Sequence, residues 1–478
     1  MLYQLLRATA TIALRWYYDD VVVLGGERIP FRGPLIVVAN HPNALIDPLL
    51  VGTALSRRIL LTAKATLFEQ PALAMLLGAV GVVPLRRAKD EQGANATAEA
   101  TTKPARERNA DSFRLVTDAL RRGQAVLVFP EGISHDQPAI APLRSGAARM
   151  ALQARADSAT DLRILPVGLI FEEKERPGSR VLVRIGEPLD LDAWVVSRSR
   201  TDAAALTEEL DARLRAVTLN FASAERASQA VRLARTLTAL GEPAAVEDAH
   251  SLATEADVAL RIDAATTALA AAPEPVVARS EALTARLAAV ERELARRGVS
   301  LADVRISLRL QSGVRFVLRE GPLAALALLV ATLGRLAHWI PLRLARAVAM
   351  RSLRADTSRD QPAMRTILFG LAFVVAWYVG VGTLLVVWRG PLFAALALAL
   401  IFSAAHADRL LRGRVQRAVR RARTYLAFRA DPALQRTAVG EIDALLEEAL
   451  AVERALGSTV SRGRGETDAL SAMVRAPG

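Results

Sequence analysis

The chain has no cysteine among its 478 residues. Disulfides, thiolate nucleophiles and cysteine-bound zinc are therefore excluded. Aromatic residues are only 5% of the chain, so its apolar mass is Ala, Leu and Val. Neither aromatic-rich sheet motifs nor paired zinc ligands occur, which leaves no nucleic-acid signature. Histidine is scarce at five residues, so few side chains can act as a base near neutral pH. What is present is arginine and hydrophobic residues. The formal net charge is +13, and hydrophobic residues make up 52% of the chain. A basic balance suits anionic partners, whether nucleic acid, a phospholipid surface or a phosphorylated substrate. The densest basic block, Arg409–Arg429, directly follows hydrophobic segments, and that placement favours a membrane surface.

The length implies roughly two to four domains. In the N-terminal segment 1–19, residues 1–18 are apolar, with Arg7, Arg15 and an aromatic end at Trp16, Tyr17 and Tyr18. A secretory signal would end in small residues. The segment reads as an interfacial helix, with a packed N-terminal helix as the plain alternative. Residues 20–195 alternate short β-rich runs with helical stretches, which predicts an α/β sheet domain. The strand candidates are Val21–Leu24, Leu35–Val38, Ile59–Thr62, Gly81–Leu85, Ala125–Phe129, Ile164–Ile170 and Val181–Ile185. A helix is predicted over Asp111–Arg122, and Glu91–Arg108, with no apolar periodicity, reads as a surface loop. Residues 196–320 are rich in Ala, Arg and Glu at helical spacing and predict a helical accessory region.

Residues 321–408 form the predicted membrane region. Pro322–Leu333 is too short to span unaided. A helical hairpin is expected over about 366–388 and 391–407, turning at Arg389-Gly390-Pro391. Arginines crowd both outer flanks and only Arg389 lies at the tip, so the positive-inside rule places both ends in the cytoplasm. Residues 409–478 are a basic helical tail. Core helices of a large soluble domain are the alternative.

Four strand exits carry polar residues, and strand exits are where α/β proteins place chemistry. His41 follows Leu35–Val38, with Asp47 six residues on. A carboxylate at that distance can fix the imidazole tautomer and steady the imidazolium. Ser134 would allow a Ser–His acyl-enzyme, but no Gly-x-Ser-x-Gly elbow surrounds it. A His–Asp pair activating the substrate's own hydroxyl is the simpler reading. Arg87 can grip phosphate, and Lys64 adds a second cation to the same rim. Glu131 can accept from hydroxyls, and Gly132 lets backbone N–H groups approach a ligand.

Asn40-His41-Pro42-Asn43-Ala44-Leu45-Ile46-Asp47, Gly81-Val82-Val83-Pro84-Leu85-Arg86-Arg87, Phe129-Pro130-Glu131-Gly132-Ile133-Ser134 and Leu165-Pro166-Val167-Gly168 occur in this order. Together they resemble the four motif blocks of the glycerophospholipid acyltransferase superfamily, over roughly residues 30–190. One departure stands out. Five residues separate His41 from Asp47, where the family more often has four. One extra residue turns a helical path by about 100°, so the pair needs a local turn, with Asn43 as a candidate cap. The longer spacing, Ser134-His135-Asp136, Pro142-Leu143-Arg144 and Gly146 resemble a subgroup that includes fungal glycerol-3-phosphate acyltransferases and bacterial relatives. His135 reads as part of that signature, not as a second base.

The resemblance implies a mixed sheet flanked by helices, with a helical accessory region and C-terminal transmembrane helices. It implies acyl transfer from a thioester, acyl-CoA or acyl-carrier protein, to glycerol 3-phosphate or a lysophospholipid. No metal or bound cofactor is needed. His41 would be the general base and Asp47 its orienting carboxylate. Asn43, Lys64, Arg87, Glu131, Gly132 and Ser134 would bind the acceptor, and Pro166 would shape the acyl side. The expected setting is the inner membrane with the catalytic domain facing the cytoplasm, and no nucleic-acid partner. A lipid-binding membrane protein that keeps the fold without catalysis is the alternative.

Overall fold

The computed structural model describes residues 2–44, 46–64, 82–85, 105–157, 159–241, 251–270, 272–351 and 361–460. The chain divides into two compact units, Met1–Asn220 with Ala345–Leu371 and Phe221–Leu344 with Ala372–Gly478.

The first unit is an α/β domain. Its strands are β1 (Asp20–Leu24), β2 (Leu35–Ala39), β3 (Ile59–Leu60), β4 (Thr62–Lys64), β5 (Val83–Leu85), β6 (Ala125–Val128), β7 (Arg163–Phe171), β8 (Arg180–Ile185) and β9 (Leu189–Asp190). Its helices are α1 (Leu2–Tyr17), α2 (Ile46–Ala54), α3 (Ala105–Arg121), α4 (Gly146–Ala156), α5 (Leu191–Ser197) and α6 (Ala203–Val217). The main sheet runs β1-β8-β7-β2-β6-β3, with β9 on β7; β4 and β5 form a separate parallel pair. Strands β7, β2, β6 and β3 are mutually parallel, whereas β8 and β9 run antiparallel to β7.

Every residue of β2 is buried. Central parallel strands are covered on both faces and so read as unbroken apolar runs. Leu35, Val37 and Ala39 face Leu14 of α1 and Leu50 and Val51 of α2. Ile36 and Val38 face Leu120 of α3, Ala151 of α4 and Leu206 and Leu210 of α6. Helix α1 thus packs on the sheet through Leu14, while Leu5 and Ile12 stay exposed. Because α6 completes this core, the α/β unit reaches past the 195/196 boundary expected from composition.

The sequence reading differs at several elements. The expected strand Ile59–Thr62 breaks into β3 and β4, which join different sheets. The expected Glu91–Arg108 loop runs into α3, which begins at Ala105; the rest of it, residues 91–104, lies outside the described residues. The two-residue strand β9 carried too little pattern to find.

Gly168 on β7 has no room for a side chain. A Cβ there would lie 1.9 Å from the Val217 carbonyl oxygen at the end of α6. Gly168→Ala is expected to destabilise the α/β unit by about 3 kcal/mol or more, since backbone must move on both elements. Thermal unfolding of the purified variant checks this; a midpoint equal to wild type would mean that α6 yields freely.

The second unit is helical, with α7 (Ala224–Gly241), α8 (Ser251–Leu269), α9 (Glu274–Arg296), α10 (Leu310–Arg351), α11 (Gln361–Arg389), α12 (Pro391–Ala430) and α13 (Pro432–Val460). Helices α10 and α11 each cross from one unit to the other. Leu287 and Leu294 of α9 pack with Phe428 of α12 and Ile442 and Leu445 of α13. The accessory region and the basic tail therefore share one core. Pro322–Leu333, too short by itself to span, belongs to a longer helix: α10 runs for 42 residues through Pro322 and Pro341. Arg335, which seemed to end the apolar run, makes bidentate bonds of 2.9–3.2 Å to Asp408. His338 holds the Gly334 carbonyl through Nδ1 and the Tyr378 hydroxyl through Nε2. A Cβ on Gly334 would stand 2.8 Å from the Ala405 backbone, the close approach that small residues permit between apolar helices. Among the described residues, Gly313–Arg351, Arg365–Arg389 and Pro391–Asp408 are long and apolar enough to cross a membrane. Leu329, Val379, Leu384, Val387 and Leu396 on these helices are exposed.

Candidate active site

The site lies at the carboxyl end of β2, where Ala39 gives way to Asn40 and His41. Parallel strands aim their final carbonyls and the following loops to one edge, which gathers residues distant in sequence. Asn40 anchors this exit: its amide donates to the Leu169 carbonyl at 3.0 Å and its oxygen accepts from the Leu169 N–H at 2.7 Å. His41 then leaves the sheet in a fixed direction.

His41 Nδ1 is 2.8 Å from Asp47 Oδ2. The five-residue spacing is closed by a tight turn. Ala44 adopts φ +39°, a left-handed conformation that costs an L-residue roughly 1 kcal/mol. Its N–H donates to Ser134 Oγ at 3.1 Å. The Asn43 N–H donates to Asp47 Oδ2 at 2.7 Å, and the Ile46 N–H to the Asn43 carbonyl at 2.9 Å. Asp47 thus sits in the first turn of α2 and reaches back to the imidazole. The expected local turn is present, and Asn43 serves it through backbone N–H.

The imidazole stacks on Phe129 with centroids 4.0 Å apart and planes 13° from parallel. Its side chain is 15% exposed, whereas that of Asp47 is fully buried. With Nδ1–H committed to the carboxylate, Nε2 keeps its lone pair. Burial holds the Asp47 carboxyl above its ordinary value; His41, the Asn43 N–H and Lys174 pull the other way. A raised folded-state value favours the folded state while the group is protonated, and that contribution is lost as pH rises through the folded-state value.

Glu131 departs most from the sequence expectation. Its side chain is 1% exposed, and both oxygens serve the protein. Oε1 accepts from the His41 N–H at 2.8 Å; Oε2 accepts from the Ala141 N–H at 2.7 Å and from His135 Nε2. His135 Nδ1 accepts from the Gln137 N–H at 3.1 Å, which places the proton on Nε2 and gives His135 a bracing role. Glu131 is therefore a clamp between two loops, because three donors already fill its carboxylate. Gly132 has φ +74°, its N–H donates to the Phe129 carbonyl, and a Cβ would lie 2.8 Å from Arg144 Nε. Its amide is thus used in the turn.

Other expected site residues fall elsewhere. Asn43 is fully buried and its amide donates to the Tyr18 hydroxyl at 3.0 Å; it supports the loop from behind and lines no acceptor surface. Ser134 sits beside the loop, with Oγ tying down Ala44. Pro166 is buried inside β7 beside Val38, and Gly186 leaves space for its ring; it is a packing residue. Arg87 and the side chain of Lys64 lie outside the described residues. Two residues near the pair were not among those expected at the site. Tyr18 follows α1, and Lys174 lies in the β7–β8 turn, with Nζ donating to the Pro42 carbonyl at 2.7 Å. The aromatic end of α1 was a signal for Tyr18; Lys174 had none.

Residues 20–170 match the family model described as Acyltransferase. The chain is similar to an uncharacterized acyltransferase of Schizosaccharomyces pombe, 25% identical over 257 residues, covering 38% of each chain. It is 38% identical over 85 residues to glycerol-3-phosphate O-acyltransferase 2 of Saccharomyces cerevisiae, covering 18% of this chain and 11% of that one. It is 26% identical over 165 residues to the 1-acyl-sn-glycerol-3-phosphate acyltransferase of Borreliella burgdorferi, covering 34% of this chain and 57% of that one. In each case the match spans less than two thirds of the relative's length. Among solved structures, the 1-acyl-sn-glycerophosphate acyltransferase PlsC of Thermotoga maritima aligns at a TM-score of 0.34 and 22% identity, covering 45% of this chain and 78% of that one.

Proposed function

We propose, from the match of residues 20–170 to the Acyltransferase family model, that the protein is a membrane-bound O-acyltransferase moving a fatty acyl group from an acyl thioester to a hydroxyl of glycerol 3-phosphate or 1-acylglycerol 3-phosphate. The observation that carries this reading is the His41–Asp47 pair at 2.8 Å, with the imidazole edge partly exposed at a strand exit.

His41 Nε2 takes the proton of the acceptor hydroxyl as its oxygen attacks the thioester carbonyl. The tetrahedral intermediate collapses, the C–S bond breaks, and the thiolate takes the proton from the imidazolium. Asp47 holds the Nδ1–H tautomer throughout and steadies the imidazolium. A thioester is already activated, so holding two substrates together and moving one proton suffices. Arg87 grips the acceptor phosphate on this reading, and Lys64 supplies a second positive charge for it. The donor is acyl-CoA or acyl-carrier protein. On this reading the apolar helices anchor the chain, and the arginine flanks of the α11–α12 hairpin favour the cytoplasmic side for both of its ends.

The test is product analysis with the full chain in detergent and a labelled acyl thioester. Glycerol 3-phosphate, 1-acylglycerol 3-phosphate and a phosphate-free monoacylglycerol are offered in turn. Transfer to one or both phosphorylated acceptors is expected. Arg87→Ala is expected to raise KM for the phosphorylated acceptor about 10- to 100-fold, the scale of a lost bidentate charge contact, and to leave the phosphate-free acceptor unaffected. Lipid binding without transfer from any donor would instead support the non-catalytic alternative.

A further inference from the structure

The turn between β7 and β8 is built to hold one cation. The Tyr17 hydroxyl donates to the Glu175 carbonyl at 2.8 Å, the Tyr18 hydroxyl to the Lys174 carbonyl at 3.3 Å, and the Gly178 N–H to the Tyr17 carbonyl at 2.7 Å. Ser179 Oγ donates to the Glu173 carbonyl at 2.7 Å, and Arg180 pairs with Glu172 across the base of the turn. Lys174 is thereby fixed at its backbone, which also receives the Asn43 amide at 3.4 Å. Its side chain is 17% exposed, and Nζ donates to the Pro42 carbonyl at 2.7 Å and to the Asp136 carboxylate. A long, entropy-rich side chain is seldom tied at both ends on a surface.

We propose that Lys174 is a positioning residue for the His41–Asp47 pair: its ammonium pins the loop of residues 41–47 through Pro42 and supplies the positive charge that faces the buried Asp47 carboxylate. The inference rests on the acyl-transfer reading. The charged and titratable groups around Asp47 are His41 from the loop after β2, Tyr18 from the end of α1 and Lys174 from the β7–β8 turn. Asp136 faces Lys174 from the segment after β6, where Glu131 and His135 brace each other. Lys174 is the only one of these groups that carries a permanent positive charge at neutral pH. It favours ionised Asp47, so its removal raises the proton affinity of the His41–Asp47 pair. The pair titrates as a unit, and the direction is the same however the proton is shared.

Lys174→Met, Lys174→Arg and Asp136→Asn test the proposal in the full chain. In Lys174→Met, kcat is expected to fall about 10-fold at pH 7, a usual loss for a charge-assisted hydrogen bond that positions a catalytic loop. KM for donor and acceptor should stay within about twofold, and the acid limb of kcat/KM should move to higher pH. Lys174→Arg keeps the charge and is expected to recover most of the wild-type acid limb. Asp136→Asn removes the outer anchor, lowers kcat and leaves the ammonium in place, so its limb moves less than that of Lys174→Met. An unshifted limb in Lys174→Met overturns the proposal, whether kcat holds or falls with the unfolding temperature. A loss confined to KM of the phosphorylated acceptor also overturns it, because Lys174 would then touch substrate. Should the wild-type chain transfer no acyl group, the function falls. The inference is then decided by the His41 titration in ¹⁵N-histidine spectra, assigned with His41→Ala. A rise of the pair's apparent value in Lys174→Met sustains it, and an identical titration overturns it.

Discussion

Replacing His41 by Ala is expected to lower kcat for acyl transfer by about 100- to 10,000-fold, the range for loss of a positioned general base. Among the described residues no other imidazole stands where His41 Nε2 does: His135 is committed to Glu131 and the Gln137 N–H. Water is a poor substitute, since it is neither oriented by Asp47 nor stacked on Phe129. The fold should persist, because the ring lies at the sheet edge with one face on Phe129 and its loss costs about 1 kcal/mol of packing. Initial rates at saturating donor and acceptor, with a thermal melt alongside, check both halves. A variant that keeps a tenth of the wild-type rate would remove His41 as the base.

Glu131→Gln should be nearly as damaging, for a different reason. The carboxylate serves three donors with two oxygens. A Gln amide has one oxygen, so either the His41 N–H or the Ala141 N–H and His135 Nε2–H must face an NH₂ group. Donor facing donor in a buried site leaves groups unsatisfied, at about 1–3 kcal/mol each. A stability loss of about 2–4 kcal/mol is expected, together with a kcat drop of at least about 10-fold as the His41 backbone loosens. Acceptor KM should change little. The acceptor-binding role expected from sequence makes the opposite forecast, with full stability and a selective rise in acceptor KM, so urea unfolding and steady-state kinetics on one preparation separate them.

These two residues mark how far the sequence could be read. The His41–Asp47 pair was legible because both partners lie within one short segment after an apolar run, and the extra residue between them demanded a turn that Ala44 supplies. Glu131 was legible as important but not in its role. Its partners are the amides of His41 and Ala141, 90 and 10 residues away in the chain, and backbone N–H groups carry no side-chain signal. Lys174 was silent for the same reason: 132 residues separate it from the Pro42 carbonyl it holds. Pro166 kept its place in a motif block, yet as buried packing in β7. The run Pro322–Leu333 read as too short to span because it was counted only as far as Arg335; the partner of that arginine, Asp408, is 73 residues on.

The sequence by itself determined an alternating α/β region and, later in the chain, apolar helices with arginine flanks, because local periodicity and charge order act over a few residues. It also determined the ordered motif blocks and with them the His–Asp pair. Only the tertiary structure decided which polar residues touch one another: Glu131 and His135 as a brace, Tyr18 and Asn43 behind the loop, Lys174 beside it. Contacts across a sheet edge depend on strand order, which is set by how β2 is covered on both faces, and no local pattern encodes that.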